Sequence, residues 1–159
     1  MGVVRSRSSL TPDTGLDCRP ADAPDDIASH HRIRHAVFVA EQGLFGLDDR
    51  DSHDSHPATI RVLGFDGAVP AGTVRLYPYG DGIWKGDRLA VLAEHRRSGL
   101  GGPLVRYAVA TAGALGGSLM VAQIQPANVR FFHSLGWTSV GDPADYLGTL
   151  HQQMSIELR

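Results

Sequence analysis

The sequence predicts an α/β domain built on one mixed sheet. Three observations lead there. Asp66-Gly67 stands between two apolar runs and is a hairpin signal. Leu89, Ala90, Val91 and Leu92 form a continuous apolar run, as expected of a strand buried on both faces. That run leads through a glycine-rich turn into a stretch of helical period, and strand, helix and strands follow.

In chain order, residues 15–19 are a short first strand. Asp22 as cap, Pro24 in the first turn and Asp25 near the positive dipole end start a helix that runs to Val39 or Gln42, where Gly43 stops it. Residues 45–57 are polar and acidic and read as a loop. A hairpin of residues 58–65 and 69–77 comes next, then a turn at 79–82 and the strand at 84–93. Residues 99–115 are a helix on which Leu100, Leu104, Ala108, Ala112 and Leu115 share a face, ended by Gly116-Gly117. Strand 118–125, short helix 126–135, strand 137–140 and strand 152–158 complete the order.

Composition bounds the function. The 159 residues are 42% apolar and 20% charged, with a net charge of -2, so no bulk positive field would hold nucleic acid. One cysteine, Cys18, allows no internal disulfide and fits a reducing cytoplasm. No apolar run approaches the roughly 20 residues that span a bilayer. Residues 1–13 are expected to be a disordered tail without the apolar core of a secretory signal, and residues 14–159 one domain. Basic side chains are nearly all arginine, and Lys85 is the sole lysine.

The most informative segment is Arg96-Arg97-Ser98-Gly99-Leu100-Gly101-Gly102, between the apolar strand and the amphipathic helix. The first amides of a helix lack internal partners and point outward at the positive end of the dipole. Glycines there let a phosphate approach the backbone, and Arg96 and Arg97 add charge-assisted bonds. A nucleoside-triphosphate loop needs Lys-Ser or Lys-Thr next, but Pro103 and Leu104 follow. A dinucleotide fingerprint needs a small residue at 104 and an acid about 20 residues on, where Gln123 and Gln125 stand. The pyrophosphate of coenzyme A is the third candidate, and an unliganded glycine turn the fourth.

The segment from Arg88 to Gly101 resembles the acetyl-CoA motif of the GNAT N-acetyltransferases, an apolar strand followed by Arg/Gln-x-x-Gly-x-Gly/Ala, here Arg96, Gly99 and Gly101. Downstream, Asn128 to Trp137 is similar to that family's later Phe-Tyr-x-x-Leu-Gly-Phe. Ile33 to Gln42 resembles the Arg-x-x-Val-Phe-Val-x-Glu-Gln helix of one branch, which acyl-homoserine-lactone synthases carry in related form. Gly148 to Met154 is similar to its closing Gly-x-x-His-x-x-Met. The whole pattern looks most like a bacterial group linked by name to nitrogen starvation.

The resemblance implies the GNAT fold, with six or seven strands and about four helices. It implies acetyl-CoA as co-substrate and a small-molecule amine as acceptor, without nucleic acid, membrane or metal, in a monomer or homodimer. Leu89, Ala90 and Val91 would pair with the pantetheine arm through their backbone. Arg96, Arg97, Ser98, Gly99, Leu100, Gly101 and Gly102 would hold the pyrophosphate, with Asn128 and Phe132 beside the arm. A splayed strand at 121–125 would leave a V-shaped cleft. Phe132 stands where the family often has the tyrosine that protonates the leaving thiolate, and phenylalanine has no proton to give. Either the thiolate leaves unaided, another acid serves, or the chain binds acetyl-CoA without turnover.

Glu41 and His151 are the candidate general bases, each also readable as a plain surface or packed residue. Arg34, Trp84 and Gln125 are the candidate acceptor contacts. Glu94, His95 and His133 read as surface residues. The run from Asp48 to His56 lacks the order of a calcium loop and the ligand set of a zinc site. It reads as a solvated acidic loop, or as a lip that draws in a cationic acceptor.

Overall fold

The computed structural model describes residues 15–159; the expected N-terminal tail lies outside them. β1 (Leu16–Pro20) is followed by α1 (Pro24–Arg34), which continues as a π-helical segment, His35–Glu41. Next come β2 (Ile60–Asp66), β3 (Val69–Gly80), β4 (Ile83–Val91), α2 (Gly101–Ala114), β5 (Leu119–Ile124), α3 (Val129–Ser134), β6 (Thr138–Ser139), β7 (Ala144–Tyr146) and β8 (Thr149–Glu157). Short 3-10 turns cover Ser52–Ser55, Ala93–Ser98 and Pro126–Asn128. The strands form one eight-stranded mixed sheet in the order β1-β2-β3-β4-β5-β8-β6, with β7 pairing β8 beside that path. Among the described residues only β4 and β5 are parallel neighbours. The fold is therefore the mixed α/β sheet that the sequence predicts, with the three-residue β7 added.

Helices cover both faces. Leu100, Leu104, Ala108 and Ala112 of α2 are buried against Val62, Val74, Leu76 and Met120. Leu115, counted on the same apolar stripe, lies at the helix end and is 58% exposed. On the other face Ile33, Val37 and Phe38 pack on Leu63 and Ala90. A Cβ on Gly72 would come within 2.8 Å of Leu104, so the bare backbone there sets how closely α2 approaches the sheet.

The start of α1 differs in detail from expectation. Its cap is Ala23, with no side-chain cap bond, while Pro24 and the acids Asp25 and Asp26 occupy the first turn. Asp26 is held by Arg19 from β1. The helix then widens: Gln42 N–H donates to the carbonyl of Val37, five residues back, and Gly43 (φ +65) closes the segment.

His30 on α1 is fully buried. Its Nδ1 lies 3.0 Å from the carbonyl of Val62 and its Nε2 3.2 Å from Arg34 Nη1. The ring therefore donates from Nδ1 and accepts at Nε2, which requires the neutral form. Burial, then the neighbouring Arg34 guanidinium, push its pKa down to about 3, and burial first of all pushes that of His31 down to about 4. The unfolded chain takes up these protons near pH 6.5. Stability from these histidines is thus complete above pH 6.5 and is lost as pH falls toward 3. Between pH 6.5 and 4.5, His30 alone should remove about 2–3 kcal/mol. Urea midpoints that stay level across that window would contradict this.

Candidate active site

The sheet opens between its two parallel strands. β4 and β5 pair only at Ile83 with Leu119, Trp84 with Met120 and Lys85 with Val121. Beyond Lys85 each is drawn to its other neighbour. β5 stays in register with β8 from Leu119–Glu157 through Ile124–Gln152. β4 follows β3, but with a bulge: Thr73 pairs with Ala90 and Arg75 with Asp87, so Arg88 and Leu89 face the single residue Val74. Arg88 takes a left-handed φ of 55, and its carbonyl accepts from Thr73 Oγ1 at 2.8 Å. The cleft that results is walled by Leu89 of β4, by Gln123 and Gln125 of β5, by Phe38 and Phe45 near the end of α1, and by Val105 and Phe132 of α2 and α3. It also explains a difference from the sequence reading. Leu89 and Val91 are only half-buried, because the neighbouring strand has moved away, while Ala90 is buried under α1.

The glycine-rich turn closes one end of this opening. After the 3-10 turn Ala93–Ser98, Gly99 adopts φ +82, which a residue with a Cβ rarely adopts, and α2 begins at Gly101. Leu100 N–H donates to Ser98 Oγ at 3.2 Å. The amides of Gly101 and Gly102 have no partner among the described residues, and Pro103 has no N–H to offer. Leu100 contributes differently from its neighbours: its side chain is fully buried, which fixes the helix start from below.

Arg97 is exposed beside the turn. Arg96 is committed elsewhere: its guanidinium makes two 2.6 Å bonds to Glu41, and its Nε donates to the carbonyl of Val91. This pair ties the end of the π segment to the turn. Arg96 holds the Glu41 carboxyl below the usual range and makes it a weaker base. Glu41 is exposed and is not among the residues lining the cleft.

His151 is. It is buried to 6% exposure at the start of β8, packed edge-on against Tyr146 with ring centroids 5.3 Å apart. Its Nδ1 lies 3.0 Å from the carbonyl of Thr149. Only an N–H can make that contact, so Nε2 keeps the lone pair. Gln125 and Asn128 also line the cleft, and Gln125 donates to Gln42 at 3.2 Å.

The other two acceptor candidates are elsewhere. Trp84 is in the core under α2, close enough that a Cβ on Gly117 would meet its ring at 2.6 Å. Arg34 has no exposed surface. It bonds Asp49 at 2.7 Å and takes Asp54 with both terminal nitrogens, at 2.7 and 3.0 Å.

Arg34 belongs to a buried network. Arg75, also without exposed surface, bonds Asp51, Asp54 and Asp87, and Arg88 bonds Asp49 and Asp51 while its guanidinium stacks 4.3 Å over Phe45. Asp51 further caps the 3-10 turn Ser52–Ser55 in a reciprocal capping box with Asp54. Most of the acidic loop is exposed, as expected, but three of its carboxylates point inward: Asp49 is 1% exposed, and Asp49, Asp51 and Asp54, together with Asp87 of β4, are the counter-ions of three interior arginines. By this means the loop is pinned over the bulge and presents Phe45 to the cleft. His95, read as a surface residue, is half-buried and lies 2.9 Å from Asp66.

Two cleft residues escape sequence reasoning. Lys85 stands where β4 and β5 part, and Tyr146 OH accepts a hydrogen bond from its Nζ at 2.9 Å. The only signal for Lys85 is its being the sole lysine. Tyr146 sits on β7, too short for a periodic pattern.

A sheet parted between parallel strands, ending on unpartnered helix-start amides, defines a protein built to take an extended anionic co-substrate. Comparison with known proteins names the class: residues 25–137 match the Acetyltransferase (GNAT) family, and the chain belongs to it. It is an acyl-CoA-dependent acyltransferase of that family. Over 124 residues it is 30% identical to an uncharacterized N-acetyltransferase, YjcF, of Bacillus subtilis (strain 168), covering 77% of this chain and 86% of that one. The crystal structure of Escherichia coli ElaA matches with a TM-score of 0.77 at 18% identity, covering 88% of this chain and 98% of that one. The CoA-dependent acyl-homoserine lactone synthase BjaI, solved with SAM and isopentyl-CoA, matches with a TM-score of 0.73 at 21% identity over 91% of this chain and 83% of its own. At these identities the two structures establish a shared fold. No helix among the described residues is long and apolar enough to cross a membrane.

Proposed function

We propose that this chain transfers the acetyl group of acetyl-CoA to the amine of a small molecule. The observation that supports this best is the continuity of one path. The orphan amides of Gly101 and Gly102, the edge of Leu89 to Val91 that β5 leaves unpaired and the cleft holding His151 follow one another along β4 and its parted neighbour. In this reading the pyrophosphate takes the amides and Ser98 to Gly102 wrap it, with Arg97 free to join. The pantetheine arm lies along β4, past Asn128 and Phe132.

His151 Nε2 removes a proton from the acceptor ammonium. The amine nitrogen then attacks the thioester carbonyl, a C–N bond forms, the C–S bond breaks, and the nitrogen's surplus proton passes to solvent as the neutral amide forms. Phe132 offers the thiolate no proton, so it departs as the anion. An ordinary thiol has a pKa near 8.5, so this costs little at neutral pH. Glu41, outside the cleft and closed on Arg96, positions the turn.

Thiol release from acetyl-CoA with a panel of small amines tests the reading, run beside longer acyl-CoAs with S-adenosylmethionine. Release only in the second set would make the chain a synthase. Binding without release in either set would make it an acyl-CoA-binding module. Binding itself is tested at Gly101. A Cβ there meets Phe131 at an ordinary 3.4 Å, so Gly101→Val should fold. Its branched carbons would cover the amides, and calorimetry should show acetyl-CoA affinity reduced at least about tenfold. Unchanged affinity would remove the turn from the site.

A further inference from the structure

We propose that the amine acceptor carries a carboxylate, and that Lys85 with Tyr146 is the subsite that receives it. The inference rests on the acetyl-transfer reading above and narrows its substrate to amino acids or similar short amino carboxylates.

The cleft holds one charge without a counter-ion. Asp87 lines it, but its carboxylate is engaged by Arg75 at 2.7 and 2.8 Å. Arg88 lines it, but is engaged by Asp49 and Asp51. Lys85 is 9% exposed, and among the described residues no carboxylate pairs with it. Its Nζ donates to a neutral phenol and lies 4.9 and 5.4 Å from the ring centres of Tyr146 and Tyr79. Burying an ammonium is costly unless an anion meets it. On the wall of a ligand cleft, that anion is supplied by the ligand.

The coenzyme's phosphates are too far away to be this anion. From Lys85 to Val91, where the turn begins, is about 20 Å along the strand at roughly 3.3 Å per residue. The geometry suits a carboxylate instead. An ammonium has three protons and Tyr146 takes one, leaving two. Tyr146 accepts from Lys85, so its own proton is free for a second carboxylate oxygen. The His151 ring, 5.3 Å from that of Tyr146, places the proposed base beside the anchor, so one short molecule can present its carboxylate to Lys85 and its amine to His151. A purely cationic amine would meet the Lys85 charge and be disfavoured. The acidic loop does not reverse this, because its Asp49, Asp51 and Asp54 are held by interior arginines and are not among the residues that line the cleft.

The sole lysine makes the test direct. Protein labelled with 13C- and 15N-lysine, carrying a lysine-free tag, gives one lysine side-chain signal. It is titrated, with coenzyme A present, with the common α-amino acids, with their carboxamides and with the decarboxylated amines. The expected result is a saturable shift with one or more amino acids and none with the matched amide or amine. No shift with any carboxylate, or equal shifts with the amides, overturns the proposal.

Thiol release with the same three sets separates the two levels. Turnover of amides or simple amines as fast as amino acids overturns the carboxylate subsite and leaves acetyl transfer standing. If no amine turns over, the acetyl-transfer reading fails and the lysine signal alone decides the subsite. Lys85→Gln should raise KM for the preferred amino acid about 10–100-fold with a much smaller change in kcat, as expected for loss of charge-assisted bonds made equally in ground and transition states. It should leave acetyl-CoA affinity unchanged.

Discussion

Replacing His151 with alanine is expected to lower kcat by about 10²–10⁴-fold while leaving acetyl-CoA affinity within a few-fold. The expectation follows from orientation. The Thr149 carbonyl fixes the N–H on Nδ1, so the basic nitrogen is Nε2, and the ring is packed in the cleft wall against Tyr146. A group that takes the amine's proton contributes to the reacting state and not to holding the coenzyme. Glu41→Gln is the contrast. Glu41 is outside the cleft and its charge is spent on Arg96, so kcat should stay close to wild type. Full turnover in His151→Ala would remove it from catalysis, whereas a large kcat loss in Glu41→Gln would return the base to the end of the π segment.

Arg34→Met should destabilise the fold by about 3–5 kcal/mol, the usual range for breaking a buried charge pair from one side. Asp49 and Asp54, with side chains 1% and 8% exposed, would each lose one of two guanidinium partners, keeping Arg88 and Arg75 respectively, in an interior that cannot hydrate the freed oxygens. Arg34 Nη1 also donates to the lone pair of His30 Nε2, so a neutral histidine loses its donor in the same step. Against a total stability of about 5–15 kcal/mol, such a loss is large. Arg34→Lys keeps the charge but not the two-pronged geometry and should fall between the two. Urea unfolding within about 1 kcal/mol of wild type for Arg34→Met would show that the network is dispensable. The loss should also loosen the loop that sets Phe45 against Arg88 and the bulge, and so raise KM before the protein unfolds.

Much of this molecule is readable from local pattern. The hairpin at Asp66-Gly67, the strand at Leu89 to Val91, the glycine turn and the helix behind it depend on neighbours in sequence, and each takes its expected place. The end of α1 at Gly43 was also legible, although its π form was not, since one added residue in a turn leaves the apolar spacing nearly intact. β7 was invisible because three residues with one half-buried side chain carry no period.

The family and the position of the glycine-rich turn were thus determined by the sequence itself. Glycine spacing, apolar runs and the order of elements are properties of the chain alone. Tertiary structure alone decided which charges are free. Arg34, Asp49 and Asp54 look like exposed polar residues until α1, the loop and β3 meet and cancel one another's charge. Lys85 looks like an ordinary surface lysine until β4 and β5 part beside it. Electrostatics depends on distances between segments far apart in the chain and on the water removed between them, and neither is encoded in local spacing.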